Sequence, residues 1–360
     1  MQRDFHHTVI YTLCRLAGMK SKDSEIVAYC SQYVDHASYG HALKFKEGGA
    51  FWQTRTAHHM LSRKLYDVSD AFNVWLPFHF LPQGEGSDMH EALITCSEGK
   101  SLNLLKEVVI KNGNKSYGLH WLGIFLHVYA DSYSHQDFKG YYDPHNQIKL
   151  VSGREVKTKS QLLREYILEK LSFLAPIGHG QALQNPDIPF AIWSYQRADG
   201  EIIKVNNLKE RFIPALDSIY NFIVQFLKKN PRYNNDVVDD STYNLNRKKI
   251  INLLNRKVSS RRRHQLWLDR IRNNNFELQD FDDIDRNLNY DRKEWFKKAV
   301  LAVKARGLKE RAENITYNFY KFEKKKNFRD SNWVKFMRAA AIHKYRILHT
   351  ILPKCGLSVG

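Results

Sequence analysis

The sequence predicts a mostly α protein, a multi-helix bundle around a metal site with one small β-hairpin near residues 191–205. Three observations lead there. Apolar residues recur at helical spacing through most of the 360-residue chain. Strand-like alternation is confined to short pieces. The most apolar segment, HWLGIFLHVYADSYSHQDF (120–138), carries three histidines and Asp131, and buried helices rarely keep so many ionisable groups unless they are paired or ligated.

Taken in order, residues 5–18 repeat Val9, Leu13 and Leu16 and close at Gly18, so they read as a helix. Residues 24–38 follow with Ile26, Val27 and Tyr33, capped by Ser21 or Asp23. Helices are also expected over 54–66 and 88–111, with the Pro- and Gly-punctuated VWLPFHFLPQGEG (74–86) as a loop between them. The segment 117–135 is the strongest helix candidate. An extended piece over 147–157 and a helix over 158–172 come next. AIWSYQRADGEIIKV alternates on either side of Asp199-Gly200, the pattern of a tight hairpin. A helix over 208–228, a polar loop, and helices over 245–273, 292–325 and 331–351 complete the chain.

Composition narrows the class. Mean hydropathy is −0.53, and no apolar run approaches the length of a membrane-spanning helix. The N-terminus lacks the layout of an export signal, so a cytoplasmic location is expected, with signal-independent secretion left open. The four cysteines form no CxxC pair and read as free thiols. Charge divides the chain: residues 1–199 hold 21 Lys+Arg against 20 Asp+Glu, whereas 200–360 hold 35 against 18. Of the 16 histidines, 13 lie at or before His179. A His-rich metal-binding core (1–199) and a basic helical region packed on it (200–360) are therefore expected.

On a helical wheel with His120 at zero, His127, Asp131 and His135 fall near about −20°, +20° and +60°. One face thus presents imidazoles and a carboxylate at intervals of four, the donor set a divalent transition metal takes from a helix. One helix cannot close such a site. Further ligands are sought in DFHH (Asp4, His6, His7), YVDHAS (Asp35), TAHHM (His58, His59), LPFHFLP (His79) and PIGHGQ (His179). Of these, His6, Asp35, His58 and His179 join His127, Asp131 and His135 as the first choices. Asp4, His7, His59, His79, His120 and Asp187 are second choices.

The phrases DFHH, QYVDHAS, WLPFHFLP, HVYADSYSHQDF, IGHGQALQNPD and NWVKFMRAAAIHKYRILHTILP resemble those of an uncharacterised family of bacterial proteins across nearly the whole chain. More distantly, the motif order resembles the zinc-dependent phospholipase C and single-strand nuclease superfamily. Its ligands run as an N-terminal residue, an early His, an Asp, a His, then His-x3-Asp, and further His and acidic residues. That resemblance implies two or three zinc ions, with Asp35 and His58 as the early pair and His127-x3-Asp131 at the centre. It further implies His135 next, His179 with Asp187 later, and Asp35 as general base or water-orienting group. The superfamily's α-amino ligand has no evident counterpart, so Asp4 or His6 is expected in its place. Iron and manganese remain open as alternatives to zinc.

The expected function is a metal-dependent phosphodiester hydrolase acting on phospholipid or nucleic acid, with a phosphate-containing polyanion as partner. The alternative is a non-enzymatic nucleic-acid- or membrane-binding helical protein with a structural metal. Both draw on the basic part, where Arg261, Arg262, Arg263, Lys324, Lys325 and Lys326 are candidate polyanion contacts. An HD-type phosphohydrolase is disfavoured, because the chain has no His-Asp dipeptide. No P-loop, GxGxxG fingerprint, nucleophile elbow or HExxH motif is present.

Overall fold

The fold is that of a computed structural model, which describes residues 1–58, 68–153, 177–235, 240–304 and 320–357. Statements below on what is absent refer to these residues. A π-helical segment, Asp4–Val9, runs into α1 (Ile10–Leu16), followed by α2 (Ser21–Tyr33). A short antiparallel pair, β1 (Ala42–Lys44) and β2 (Ala50–Trp52), comes next. A helical run then comprises α3 (Val68–Asp70), a π turn Ala71–Trp75 and α4 (Leu76–Phe78). After it come α5 (Met89–Ala92), α6 (Lys100–Lys111) and α7 (Gly118–Ser134).

Strands β3 (Ile148–Ser152), β4 (Ile192–Arg197) and β5 (Ile202–Asn206) form one antiparallel sheet. A π turn, Leu208–Phe212, opens α8 (Ile213–Lys229). Helices α9 (Asp240–Leu254), α10 (Ser260–Arg272), α11 (Asp283–Asn287) and α12 (Glu294–Ala299) follow. The chain ends with the pair β6 (Val300–Lys304) and β7 (Tyr320–Lys324), α13 (Asn332–Arg346), a π turn Ile347–Ile351, and α14 (Leu352–Lys354).

The class is mostly α with small sheets, as expected, but several elements differ. Residues 53–58 are irregular, not helical, and the rest of the 54–66 helix lies outside the described residues, as does the 158–172 helix. The 88–111 helix breaks at Gly99, whose φ of 135° belongs to no α-helix. The 245–273 helix divides, because Ser259 caps a new start by accepting from the Arg262 amide. Part of the 74–86 loop is helical, with Pro77 near the start of a terminal turn, where its missing N–H costs nothing. The 292–325 helix is replaced by α12 and the β6–β7 pair. There, Val300–Lys304 pairs antiparallel with Tyr320–Lys324, the β-branched Val300 and Val303 suiting an extended backbone.

Helix α7 is the axis of the molecule. Every residue from Gly118 to Ser134 is buried, and α2, α6, α8 and α13 pack around it. The larger apolar core draws Val27, Phe125, Phe222, Trp267 and Phe336 from both halves of the chain. A smaller one, built on Phe80, Phe138, Trp193 and Tyr195, lies against the three-stranded sheet. The α2–α7 approach depends on Gly123. A Cβ there would stand 2.4 Å from both the Val27 carbonyl oxygen and the Cys30 Cβ, and a backbone atom cannot yield as a side-chain tip can. Gly123→Ala is accordingly expected to cost about 1–3 kcal/mol of stability, read from denaturant midpoints. An unchanged midpoint would mean that the two helices are not held this close.

Two histidines outside the central cluster give the fold a pH dependence. His343 is fully buried; its Nε2–H donates to the Pro77 carbonyl at 2.8 Å, and its Nδ1 accepts from the Trp121 indole at 3.1 Å. Burial pushes His343 down to about 4, and pushes His120 down to about 3. Both rings stay neutral in the fold while their unfolded counterparts take up protons below about pH 6.5. Stability is therefore fully present above that pH and falls as pH drops towards 4. Each ring contributes a slope of up to about 1.4 kcal/mol per unit. Denaturation at pH 7 and pH 5 checks this, and equal stability at both would contradict it.

Candidate metal centre

Asp131 lies on the fourth turn of α7, one turn after His127, so its carboxylate and the His127 ring share a face. His127 Nε2 stands 3.1 Å from Asp131 Oδ2, and His6 Nε2 stands 3.1 Å from Oδ1. His79 Nδ1 is 3.2 Å from Oδ2 and 3.2 Å from His127 Nε2. Asp35, just past the end of α2, brings Oδ1 to 3.8 Å from His127 Nε2. His135 caps α7 and places Nε2 3.1 Å from Asp187 Oδ1, while His179 Nε2 is 3.7 Å from Asp187 Oδ2. Three adjoining donor groups result: His6, His127 and Asp131; Asp35, His79 and His127; and His135, His179 and Asp187. Within each group the donor atoms all lie within 4.8 Å of one another.

Local structure explains how distant segments reach this centre. Residues after α2 turn back so that the Ala37 carbonyl accepts from the Thr56 amide at 2.8 Å, and Thr56 Oγ1 donates to Val34 O at 2.6 Å. That pins Asp35 beside the irregular stretch holding Thr56, whose own carbonyl accepts from His79 Nε2 at 2.8 Å. On the other side, buried Asn207 donates to the carbonyls of Asn185 and Ile188 at 2.6 and 2.7 Å, fixing the turn that carries Asp187. Gly178 sits at φ 55°, and a Cβ there would be 2.4 Å from the Phe80 ring. This close approach sets His179 beside Phe80, which also stacks on His135 at 4.5 Å.

The hydrogen bonds of the imidazoles fix their tautomers. His127 Nδ1 faces the Ser31 carbonyl at 2.8 Å, His79 Nε2 the Thr56 carbonyl at 2.8 Å, His135 Nδ1 the His79 carbonyl at 2.9 Å, and His179 Nδ1 the Leu183 carbonyl at 3.0 Å. A carbonyl only accepts, so each of these nitrogens carries the proton. The other nitrogen of each ring points into the centre, at another imidazole or at a carboxylate, where it can bind a cation whenever the ring is neutral. This is the arrangement of metal-binding histidines held by carbonyls behind them. Both ring nitrogens of buried His6 also lack a hydrogen-bond partner; its 3.1 Å approach to Asp131 is close but misaligned. Burial opposes a charge on His79, but the Asp131 and Asp35 carboxylates outweigh it and raise that ring's pKa.

The carboxylates of the centre are held charged by the nitrogens around them. Burial favours a neutral Asp131, but the Met1 nitrogen, His135, His127 and His6 outweigh it and hold the carboxyl well below the usual range. Asp187 is likewise held far down against burial, by the Met1 nitrogen, His179 and His135. Asp35 is lowered less, burial being opposed by His127, His6 and His79. Burial pushes His6 and His179 down to about 4, which keeps both rings neutral.

The Met1 nitrogen stands 2.5 Å from Asp131 Oδ1, 3.0 Å from Asp187 Oδ1 and 3.3 Å from Ser134 Oγ. Burial works against its charge, but the Asp131 and Asp187 carboxylates prevail and push it up to about 11. Asp4 or His6 is expected in the place of an α-amino ligand; His6 does face Asp131, whereas Asp4 pairs with Arg263.

The other expected residues fall as follows. His6, Asp35, His127, Asp131, His135 and His179 converge, and so do His79 and Asp187 from the second choices. His58 does not join the three groups; its Nε2 faces Asp70 at 3.4 Å, and His79 takes the place assigned to it. Asp4 pairs with Arg263 at 2.7 Å, His7 meets His264 at 3.2 Å, and His120 Nε2 contacts Asn332 at 3.1 Å. His59 lies outside the described residues. Arg263 is buried on that ion pair and is therefore withdrawn as a polyanion contact, whereas Arg261, Arg262, Lys324, Lys325 and Lys326 are exposed.

Fold and site together define a mostly α protein with a buried histidine–aspartate centre of three adjoining donor groups. The chain matches, over residues 1–351, the family described as "Family of unknown function (DUF6765)", and it belongs to that family. No curated protein and no solved structure matches it. No helix among the described residues is long and apolar enough to cross a membrane.

Proposed function

We propose that this protein is a metal-dependent phosphodiester hydrolase whose three donor groups hold divalent ions, zinc in the first instance. The observation that carries the reading is the set of four imidazoles, each locked by a carbonyl behind it so that its free nitrogen faces the shared centre. The ligand order of the zinc-dependent phospholipase C and single-strand nuclease superfamily supports it. His6, Asp35, His79, His127-x3-Asp131, His135, His179 and Asp187 follow that order, with His79 in the position first given to His58.

Bound ions there would lower the pKa of water and neutralise phosphate oxygens during in-line displacement. The chain's own residues supply the rest. Asp35 is the most open of the three carboxylates, its side chain 34% exposed, so it meets the incoming substrate and orients the attacking water. Gln32 Nε2 donates to its other oxygen at 3.1 Å and fixes its plane. Three carboxylates cannot neutralise three divalent ions, and the surplus positive charge selects an anionic phosphate over a neutral ester. The exposed Arg261, Arg262 and Lys324–Lys326 offer a polyanionic substrate further contacts.

The test is hydrolysis of a chromogenic phosphodiester by purified protein. Activity should vanish with a chelator and return with zinc, manganese or iron. Metal-loaded protein that hydrolyses no phosphodiester, yet binds DNA or anionic vesicles, would transfer the conclusion to the structural-metal alternative.

A further inference from the structure

Helix α10 opens with Ser260-Arg261-Arg262-Arg263-His264, the most basic start of any helix among the described residues. Its exposed arginines suit the solvent, but Arg263 and His264 turn inward onto the π-helical segment Asp4–Val9. Arg263 Nε donates to Asp4 Oδ2 at 2.7 Å, with both side chains 1% exposed. Its Nη1 donates to the Val258 carbonyl at 2.6 Å, its Nη2 donates to Gln2 Oε1, and its guanidinium lies 5.0 Å over the Phe190 ring. Beside it, His264 Nε2 meets His7 Nδ1 at 3.2 Å.

One guanidinium thus holds Gln2 and Asp4 together, on either side of Arg3. The donor at stake lies just outside that grip. His6 lies two residues past Asp4 and brings Nε2 to 3.1 Å from Asp131 Oδ1. Phe190 stands three residues after Asp187, so the same side chain also braces the turn carrying the third donor group. Arg's rigid fork suits such a multiple contact, and a lysine could not reproduce it.

We propose that Arg263 is a positioning residue for the metal centre: by clamping Gln2 and Asp4 it seats His6 against Asp131, and so governs the ion held there. The proposal rests on the metal-centre reading above. It also gives the basic C-terminal part a role in completing the site, since the clamp lies some 260 residues from the ligands it orients.

The experiment compares wild type, Gln2→Ala, Arg263→Lys and the paired Asp4→Asn/Arg263→Met. The paired variant removes both buried charges, so that neither is stranded. Metal content by elemental analysis and metal affinity by competition with a chelator dye are read beside thermal unfolding. Loss of an orienting contact behind a ligand typically weakens metal binding about 10–100-fold. The paired variant should lose about one ion per chain while keeping the others, with Arg263→Lys and Gln2→Ala intermediate. Full metal content and unchanged affinity in all variants, even with a lowered melting temperature, would reduce Arg263 to a purely structural ion pair and overturn the clamp while leaving the metal reading intact. Wild-type protein that holds no metal would instead overturn the metal reading, and the clamp with it. Gln2→Ala, which cuts one half-buried contact, keeps the comparison decisive if the paired variant does not fold.

Discussion

Asp131→Asn is expected to strip the protein of most of its metal and to lower phosphodiester hydrolysis by at least about 100-fold. That bound is conservative, because disturbing a group behind a ligand already costs about 10–100-fold, and Asp131 is itself the central donor. Its two oxygens are divided: Oδ1 serves His6 and the Met1 nitrogen, and Oδ2 serves His79 and His127. An amide keeps the shape but loses the charge that lets one group neutralise cations on both sides. The His135, His179 and Asp187 group does not include Asp131, so about one ion should persist. Elemental analysis of wild type and variant in parallel checks this; equal metal content in the two would contradict it.

Asp285→Ala should have the largest effect on stability while sparing the metal. Asp285 is fully buried in α11 and accepts from Tyr11 Oη at 2.7 Å and from Arg15 Nε at 2.9 Å through Oδ1. Its Oδ2 takes the Asp282 amide at 3.0 Å, closing a capping box at the start of α11. Removing the carboxylate strands the Arg15 guanidinium, 2% exposed, without a counter-charge. Breaking a buried pair from one side costs about 3–5 kcal/mol. Tyr11→Phe, which removes one neutral donor, should cost only about 1 kcal/mol. Denaturant unfolding measures both. A loss below about 1 kcal/mol for Asp285→Ala would show that Arg15 finds other partners; the carbonyls of Met19 and Gln279, already at 2.8 and 2.5 Å, are the nearest.

The face of α7 was legible because helical periodicity fixes which side chains share a stripe. His127, Asp131 and His135 stand on that stripe, and the run around them needs an interior. The partners were less legible. His58 and His79 are both histidines near the end of an irregular or helical segment, and only the fold decides between them. The Thr56 carbonyl captures His79, while Asp70 faces His58. Arg263 was misassigned for a related reason: in a run of three arginines, composition suggests a basic surface, whereas the helix turns one of the three inward. The β6 strand is hidden in a charge-rich stretch, where its short apolar run Val300-Leu301-Ala302-Val303 has no alternation and fits a helix as readily as a strand.

Metal stoichiometry of the untagged wild-type protein, measured by elemental analysis after dialysis against metal-free buffer, tests the central claim most directly. The geometry predicts two to three equivalents of a divalent transition metal per chain, falling to about one in Asp131→Asn. Fewer than about 0.2 equivalents, with no gain after incubation with zinc, iron or manganese, would contradict it.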